Sequence, residues 1–130
     1  ISIVEATINE LKRLHFKKVL VFGTESTLRS GLYEKALTEQ GLTAVVPSDA
    51  EISLLGKWIY PNLENGIVIP ADKRKLIALA NKYIAKEDID ALILGCTELP
   101  LAIKPEDVSI PIVNTTQIHI NAIYEQACKI

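Results

Sequence analysis

The chain has 130 residues, of which 48% are hydrophobic and 23% are charged, and its formal net charge is -2. This size and composition are typical of one globular domain with its own core, and they exclude disorder, collagen and coiled coil. The balanced charge and the scarcity of aromatic residues argue against nucleic acid as a partner. No apolar stretch approaches the roughly 20 residues that cross a bilayer, so no membrane segment is predicted.

Cysteine, histidine and methionine usage adds three expectations. The two cysteines, Cys96 and Cys128, form no CxxC pair, which predicts reduced thiols and a cytoplasmic location. The two histidines, His15 and His119, lack ligand spacing, so no metal site is predicted. The chain starts at Ile1 and contains no methionine, which indicates that residues are missing in front of it.

Helical periodicity alternates with short buried runs along the whole chain. Capping-box patterns at Ser2 and Ser48, and glycine or proline at the element ends, set the bounds. The predicted helices cover residues 2–14, 27–40, 48–60, 72–86 and 114–128. The predicted strands cover residues 18–22, 42–46, 91–94 and 110–113, with an irregular segment at 62–70 and a proline-rich passage at 100–105. Continuous apolar strands separated by helices indicate a doubly wound α/β domain with helices on both faces of a parallel four-stranded sheet.

The expected strand order, 2-1-3-4, places a site where the winding reverses, between the first and third strands. The two loops that meet there are residues 23–27 and 95–98. Each loop begins with a glycine directly after a strand, and each carries hydroxyl, carboxylate or thiol groups. We therefore expect them to face one cleft.

The first loop has hydroxyl groups and unpaired backbone N–H groups that suit an anion such as a carboxylate. They belong to Thr24, Ser26 and Thr27. An alternative reading is that Ser26 or Thr27 is only the helix N-cap. The two roles are compatible.

Cys96 follows a buried strand at the start of a helical turn. Backbone N–H groups at such a position stabilise a thiolate and lower its pKa from about 8.5. The alternative is that Cys96 is a small buried hydrophobic residue. Cys128 lies late in a helix, where a structural role is expected.

Three strings, taken together, resemble the aspartate/glutamate racemase family. They are LGCTELPL at Leu94–Leu101, FGTEST at Phe22–Thr27 and IVNTT at Ile112–Thr116. Glu98 stands where the glutamate racemase branch usually has histidine, which favours the aspartate racemase branch. The resemblance covers the whole chain and the C-terminal half of such an enzyme, with residues 1–17 similar to the helix that leads into that half and 115–130 to its closing helix.

The resemblance implies a cofactor-independent amino-acid racemase with two similar domains and one cysteine from each. By motif, Cys96 is the second cysteine, Thr97 and Glu98 shape its pocket, and Thr24 and Thr27 hold the substrate carboxylate. The first cysteine has no counterpart here, so the chain alone is expected to be inactive. The implied partners are an amino acid or dicarboxylate substrate and the missing N-terminal half; a homodimer is one option, and the oligomeric state stays open.

Two other readings stay open. One is another enzyme of the same superfamily, of the hydantoin racemase or maleate isomerase type, which would use Cys96 on a different substrate. The other is a non-catalytic module that binds carboxylates. Asn114, where the family usually has aspartate, and the lack of a basic residue soon after Gly66 favour the module.

Overall fold

The structure, a computed structural model, describes residues 2–128, and it describes side chains as far as Glu125. Its four strands form one parallel sheet in the order β2-β1-β3-β4. The strands are β1 (Lys18–Phe22), β2 (Thr43–Val45), β3 (Ala91–Leu94) and β4 (Ile112–Asn114). The helices are α1 (Ile3–Arg13), α2 (Glu25–Ser30), α3 (Leu32–Glu39), α4 (Asp49–Ile59), α5 (Pro70–Lys86), α6 (Leu99–Ala102) and α7 (Thr115–Cys128). The predicted α/β fold and strand order are confirmed.

Strand β3 is covered on both faces, because all four of its residues are buried and successive side chains of a strand point to opposite faces. The helices lie in two groups. Helix α1 packs against α3 and α7, whereas α4 packs against α2 and α5. None of the helices within residues 2–128 is long and apolar enough to cross a membrane.

The strand register brings the carboxyl ends of the strands to one edge of the sheet. Phe22 pairs with Leu94, and Leu94 pairs with Asn114. At the opposite edge, Asp90 Oδ2 accepts hydrogen bonds from the backbone N–H groups of Lys17 and Lys18 at 2.8 and 3.0 Å. These bonds hold the start of β1 beside β3, so the loops that leave both strands emerge level with each other.

The sequence prediction of one helix over residues 27–40 is wrong. The structure has two helices there, and Gly31 separates them with a φ of 68°. Glycine adopts this left-handed conformation without a Cβ penalty, which ends α2 and lets the chain turn into α3. The turn directs Tyr33 into the core, where it is 5% exposed.

Several other boundaries also differ from prediction. Helix α5 starts at Pro70, two residues early, because proline fits the first helical position, where no N–H donor is needed. The passage at 100–105 includes most of α6, and a 3-10 turn follows at Pro105–Asp107. The segment at 62–70 contains another 3-10 turn, Leu63–Asn65. Strands β2 and β4 are shorter than predicted.

Candidate active site

Three strand ends meet at the carboxyl edge of the sheet. The Gly95 N–H donates a hydrogen bond to the Phe22 carbonyl at 2.7 Å. The Thr115 hydroxyl, just after β4, donates to the Leu94 carbonyl at 3.0 Å. A Cβ added to Gly23 would lie 4.0 Å from the Gly95 carbonyl carbon. The loops at 23–27 and 95–98 therefore lie side by side.

Thr24 is the N-cap of α2, so the alternative reading in which Ser26 or Thr27 is the N-cap is wrong. The Thr24 hydroxyl accepts a hydrogen bond from the Thr27 N–H at 3.3 Å and donates one to Thr27 Oγ1 at 3.0 Å. The helix starts at Glu25, and the cap is the preceding residue because its hydroxyl reaches the third amide of the helix. Thr24 and Thr27 are both half-buried, and their linked hydroxyls present one polar spot at the end of β1.

The Cys96 side chain is 8% exposed, and Sγ donates a hydrogen bond to Glu98 Oε2 at 3.3 Å. Burial raises the pKa of this thiol, the backbone N–H groups of Glu98 and Leu99 lower it, and the Glu98 carboxylate raises it again. The pKa is raised overall. The predicted lowering is therefore wrong: the expected N–H donors are present, but burial and the neighbouring carboxylate outweigh them.

Glu98 has the opposite shift. A hydrogen bond from the Thr97 hydroxyl lowers the pKa of the Glu98 carboxyl, with smaller contributions from the Cys96 thiol and from the Glu98 backbone N–H, against some desolvation. A protonated thiol and a charged carboxylate thus face each other near neutral pH. The hydrogen bond directs the thiol proton toward the carboxylate, and the proton stays on the sulfur because the thiol has the higher pKa.

An open cleft of about 670 Å³ borders the Thr24 loop. Its lining comes from the start of α2, from α4 and from the segment after α4: Thr24, Glu25, Ser26, Ser53, Gly56, Lys57, Ile59, Tyr60 and Glu64. Cys96 is not among these residues. The sequence analysis missed Lys57, although a signal existed: Ser53, Gly56, Lys57 and Tyr60 are spaced as one helical face.

Arg29 links Glu25 and Ser53, two residues that line this cleft on different helices. It donates to Glu25 Oε2 and to Asp49 Oδ1, both at 2.8 Å, and to Ser53 Oγ at 2.9 Å. Because Glu25 lies on α2 and the other two on α4, the guanidinium group ties the first loop to α4. Arg29 is 40% exposed, so each ion pair adds little stability.

Metal ligands do not gather here. Among the residues that the structure describes, no group of three or more His, Cys, Asp or Glu side chains could hold a metal ion. His119 is half-buried on α7. The side chain of Cys128 lies outside the part that the structure describes.

By fold and site position, the chain is a doubly wound α/β domain with its polar loops at the switch point of the sheet, where such domains bind ligands. It belongs to the Asp/Glu/hydantoin racemase family, whose sequence profile matches residues 1–123.

Individual proteins similar to this chain are racemases or a racemase homologue. An aspartate racemase homologue from Pyrococcus horikoshii has a TM-score of 0.89 and 39% identity over 98% of this chain and 56% of its own. The aspartate racemase of Picrophilus torridus has a TM-score of 0.73 and 27% identity over 88% of this chain and 47% of its own. A glutamate racemase from Lactiplantibacillus plantarum is 34% identical over 70% of this chain and 32% of its own length. The chain thus spans about a third of this curated relative and about half of the two solved chains.

Proposed function

We propose that this chain supplies one half of the active site of a cofactor-independent amino-acid racemase, in which Cys96 is one of two acid/base groups. The observation that carries this proposal is the hydrogen bond between Cys96 and Glu98 at the end of β3, beside the Thr24 loop. Membership of the racemase family supports it. The second acid/base group would come from the part of the enzyme that this chain does not contain.

Inversion at an α-carbon needs one group to remove a proton from one face and another to deliver a proton to the opposite face. The raised pKa of Cys96 keeps it as the neutral thiol, which is the form that delivers a proton. Delivery of this proton to the substrate leaves a Cys96 thiolate, which is the base that takes the α-proton in the reverse direction. The charged Glu98 carboxylate orients the thiol proton through its hydrogen bond to the sulfur.

The substrate carboxylate would bind at the hydroxyls of Thr24 and Thr27. As the α-proton leaves, its bonding electrons move into this carboxylate, so negative charge grows on the carboxylate oxygens. Hydroxyl donors fixed in place before the reaction stabilise such charge most effectively. The 3.0 Å hydrogen bond between the two threonines fixes them in this way. Thr97 contributes by holding Glu98 charged beside the thiol.

The cleft next to Thr24 would receive the substrate side chain. Lys57 provides a cation there, which suits the second carboxylate of aspartate or a related acidic amino acid. Glu64 also lines the cleft and repels such a carboxylate, so a broader substrate range is compatible with the same lining. The reduced thiol in this mechanism fits the cytoplasmic location that the cysteine pattern predicts.

The direct test is exchange of the α-proton of L-aspartate in heavy water, followed by proton NMR. We expect no exchange with the 130-residue chain alone and rapid exchange with the full racemase polypeptide that contains it. Cys96→Ser in the full polypeptide should abolish racemisation, whereas the matched variant Cys128→Ser should retain it. Exchange by this chain alone, or racemisation that survives Cys96→Ser, would contradict the two-thiol proposal.

A second candidate is the non-catalytic carboxylate-binding module, which is favoured by the position of the buried Cys96 outside the residues that line the cleft. The same preparations distinguish the two. A module would bind aspartate in calorimetry, with affinity reduced by Thr24→Val, and would show no proton exchange in the full polypeptide. An enzyme of the hydantoin racemase or maleate isomerase type would act on hydantoins or maleate in a Cys96-dependent reaction and leave aspartate unchanged.

A further inference from the structure

Tyr33 lies directly against the backbone turn that carries Cys96. A Cβ added to Gly95 would lie 3.4 Å from Tyr33 Cε2, so the ring is in contact with this glycine. On its other side, the same Cβ would lie 3.2 Å from the Phe22 carbonyl oxygen. The turn before Cys96 is thus enclosed between the end of β1 and the Tyr33 ring.

The Tyr33 hydroxyl lies beside the side chains of Thr7 and Thr115 and has one proton, which it can donate to one of them. Both threonines are buried, at 0% and 1% exposure. Thr7 Oγ1 donates to the Ile3 carbonyl at 2.8 Å, and Thr115 Oγ1 donates to the Leu94 carbonyl at 3.0 Å. The three hydroxyls therefore link α1, α3 and the start of α7 to the last residue of β3.

The Tyr33 hydroxyl makes contacts that a phenylalanine at this position would lack. A phenylalanine would preserve the ring contact with Gly95 but would remove the proton that Tyr33 offers to the Thr7 and Thr115 hydroxyls, whose own protons go to the Ile3 and Leu94 carbonyls. Buried polar groups are costly when unpaired and define a single arrangement when fully paired. In residues 2–125 no buried side-chain nitrogen or oxygen lacks a hydrogen-bond partner, so this network is satisfied.

We propose that Tyr33 is a positioning residue for Cys96: its ring, packed beside Gly95, and its hydroxyl, beside Thr7 and Thr115, hold the Gly95–Cys96 turn in place at the end of β3. The proposal rests on the proposed function only for the acid/base role of Cys96. The positioning itself can be measured without racemase activity. Release of the turn would expose the thiol to water and lower its pKa toward the ordinary value, since burial is the main cause that raises it.

The test measures alkylation of Cys96 by iodoacetamide as a function of pH, with Cys128→Ser as the background so that one thiol reports. Tyr33→Phe should move the midpoint to lower pH by about half a unit and raise the rate near neutral pH about threefold, because the thiolate is the reactive form. Thr115→Val should shift the profile in the same direction. Near- and far-ultraviolet circular dichroism confirm that each variant is folded.

The matched control is Tyr83→Phe, which removes a hydroxyl that donates to Glu51 on α4. This variant should leave the alkylation midpoint unchanged even if it lowers the melting temperature. A Tyr33→Phe profile that coincides with the parent, or equal shifts in both tyrosine variants, would overturn the proposal. Absence of racemisation in the full polypeptide would refute the proposed function and leave the alkylation result intact, so the two failures are distinguishable.

Discussion

Cys96 and Glu98 are hydrogen-bonded to each other across one intervening residue, with 3.3 Å between Sγ and Oε2. Their pKa values move in opposite directions: the thiol is raised and the carboxyl is lowered. Opposite shifts of this kind are typical of a donor and acceptor that keep one proton between them. Burial is the largest cause of the raised thiol pKa and the Glu98 carboxylate adds to it, so Cys96 stays protonated near neutral pH although the backbone N–H groups of Glu98 and Leu99 lower its pKa.

Glu98→Gln should lower the pKa of the Cys96 thiol, because it removes the neighbouring negative charge that raises it. Alkylation of Cys96 near neutral pH should become severalfold faster, and the midpoint should move to lower pH. Glu106→Gln, at an exposed carboxylate, makes the same change in net charge. Identical alkylation profiles for the two variants would show that Glu98 does not influence the thiol.

Gly95→Ala should destabilise the protein by about 1–3 kcal/mol, because the new methyl group overpacks a site enclosed by backbone and ring. The added Cβ would meet the Phe22 carbonyl oxygen at 3.2 Å and the Tyr33 ring at 3.4 Å. Gly23→Ala is the control, since its nearest contact is Thr27 Cγ2 at an ordinary 3.6 Å. Urea unfolding measures both variants, and equal losses of unfolding free energy would contradict the close packing at Gly95.

Thr24→Val should cost about 1 kcal/mol of stability, because α2 loses the hydroxyl that caps the Thr27 N–H. Thr24→Ser keeps that hydroxyl and should recover most of the loss. In the full polypeptide, Thr24→Val should also raise KM for an amino acid substrate several-fold, and Thr24→Ser should restore it. Recovery of stability without recovery of KM would show that Thr24 caps the helix and does not bind substrate.

Glu51 closes the capping box of α4 and links it to α5. It accepts hydrogen bonds from the Ser48 N–H at 2.9 Å, from Lys82 Nζ at 2.6 Å and from the Tyr83 hydroxyl. Burial raises the pKa of this carboxyl, but the donors Lys82, Tyr83 and Ser48 outweigh burial and lower it from 4.5 to about 2. The charged form of Glu51 therefore stabilises the folded chain.

Glu51→Gln should lower the free energy of unfolding by about 1 kcal/mol near pH 7, the usual cost of losing a cap. A carboxyl with a depressed folded pKa contributes stability above its unfolded pKa and loses it as the pH falls through the folded value. The difference between parent and variant should thus shrink as the pH falls from 4.5 toward about 2. Urea unfolding across this range tests the prediction, and a difference that stays constant with pH would contradict it.

The features of the fold that sequence predicts best are the ones with local causes. The capping hydroxyls of Ser2 and Ser48 bond to amides three residues away, as their patterns indicate. Strands β1 and β3 match their predicted bounds because they are continuous buried runs. The break at Gly31 was missed because glycine is also tolerated inside helices, and the sequence around it does not reveal its left-handed conformation.

At the candidate site, too, the features with local causes could be predicted and those that depend on distant segments could not. Motif and strand position predict where Cys96 and Thr24 lie, and the structure places their loops side by side. The pKa of Cys96 could not be predicted, because it depends on burial by segments that are distant in sequence. The contact between Tyr33 and Gly95 was missed for the same reason, since no local pattern relates the two residues.

Gly31 connects the hydroxyl loop, which starts at Thr24, to the helix that brings Tyr33 beneath the Cys96 turn. The φ of 68° at Gly31 turns the chain from α2 into α3, and a Cβ added there would meet no atom within 4 Å. Any other residue at this position would strain the backbone without touching a neighbour. We therefore expect a substitution at this half-buried glycine to reach the Cys96 turn through Tyr33, an effect that mutational surveys ranking positions by contact with the active site would pass over.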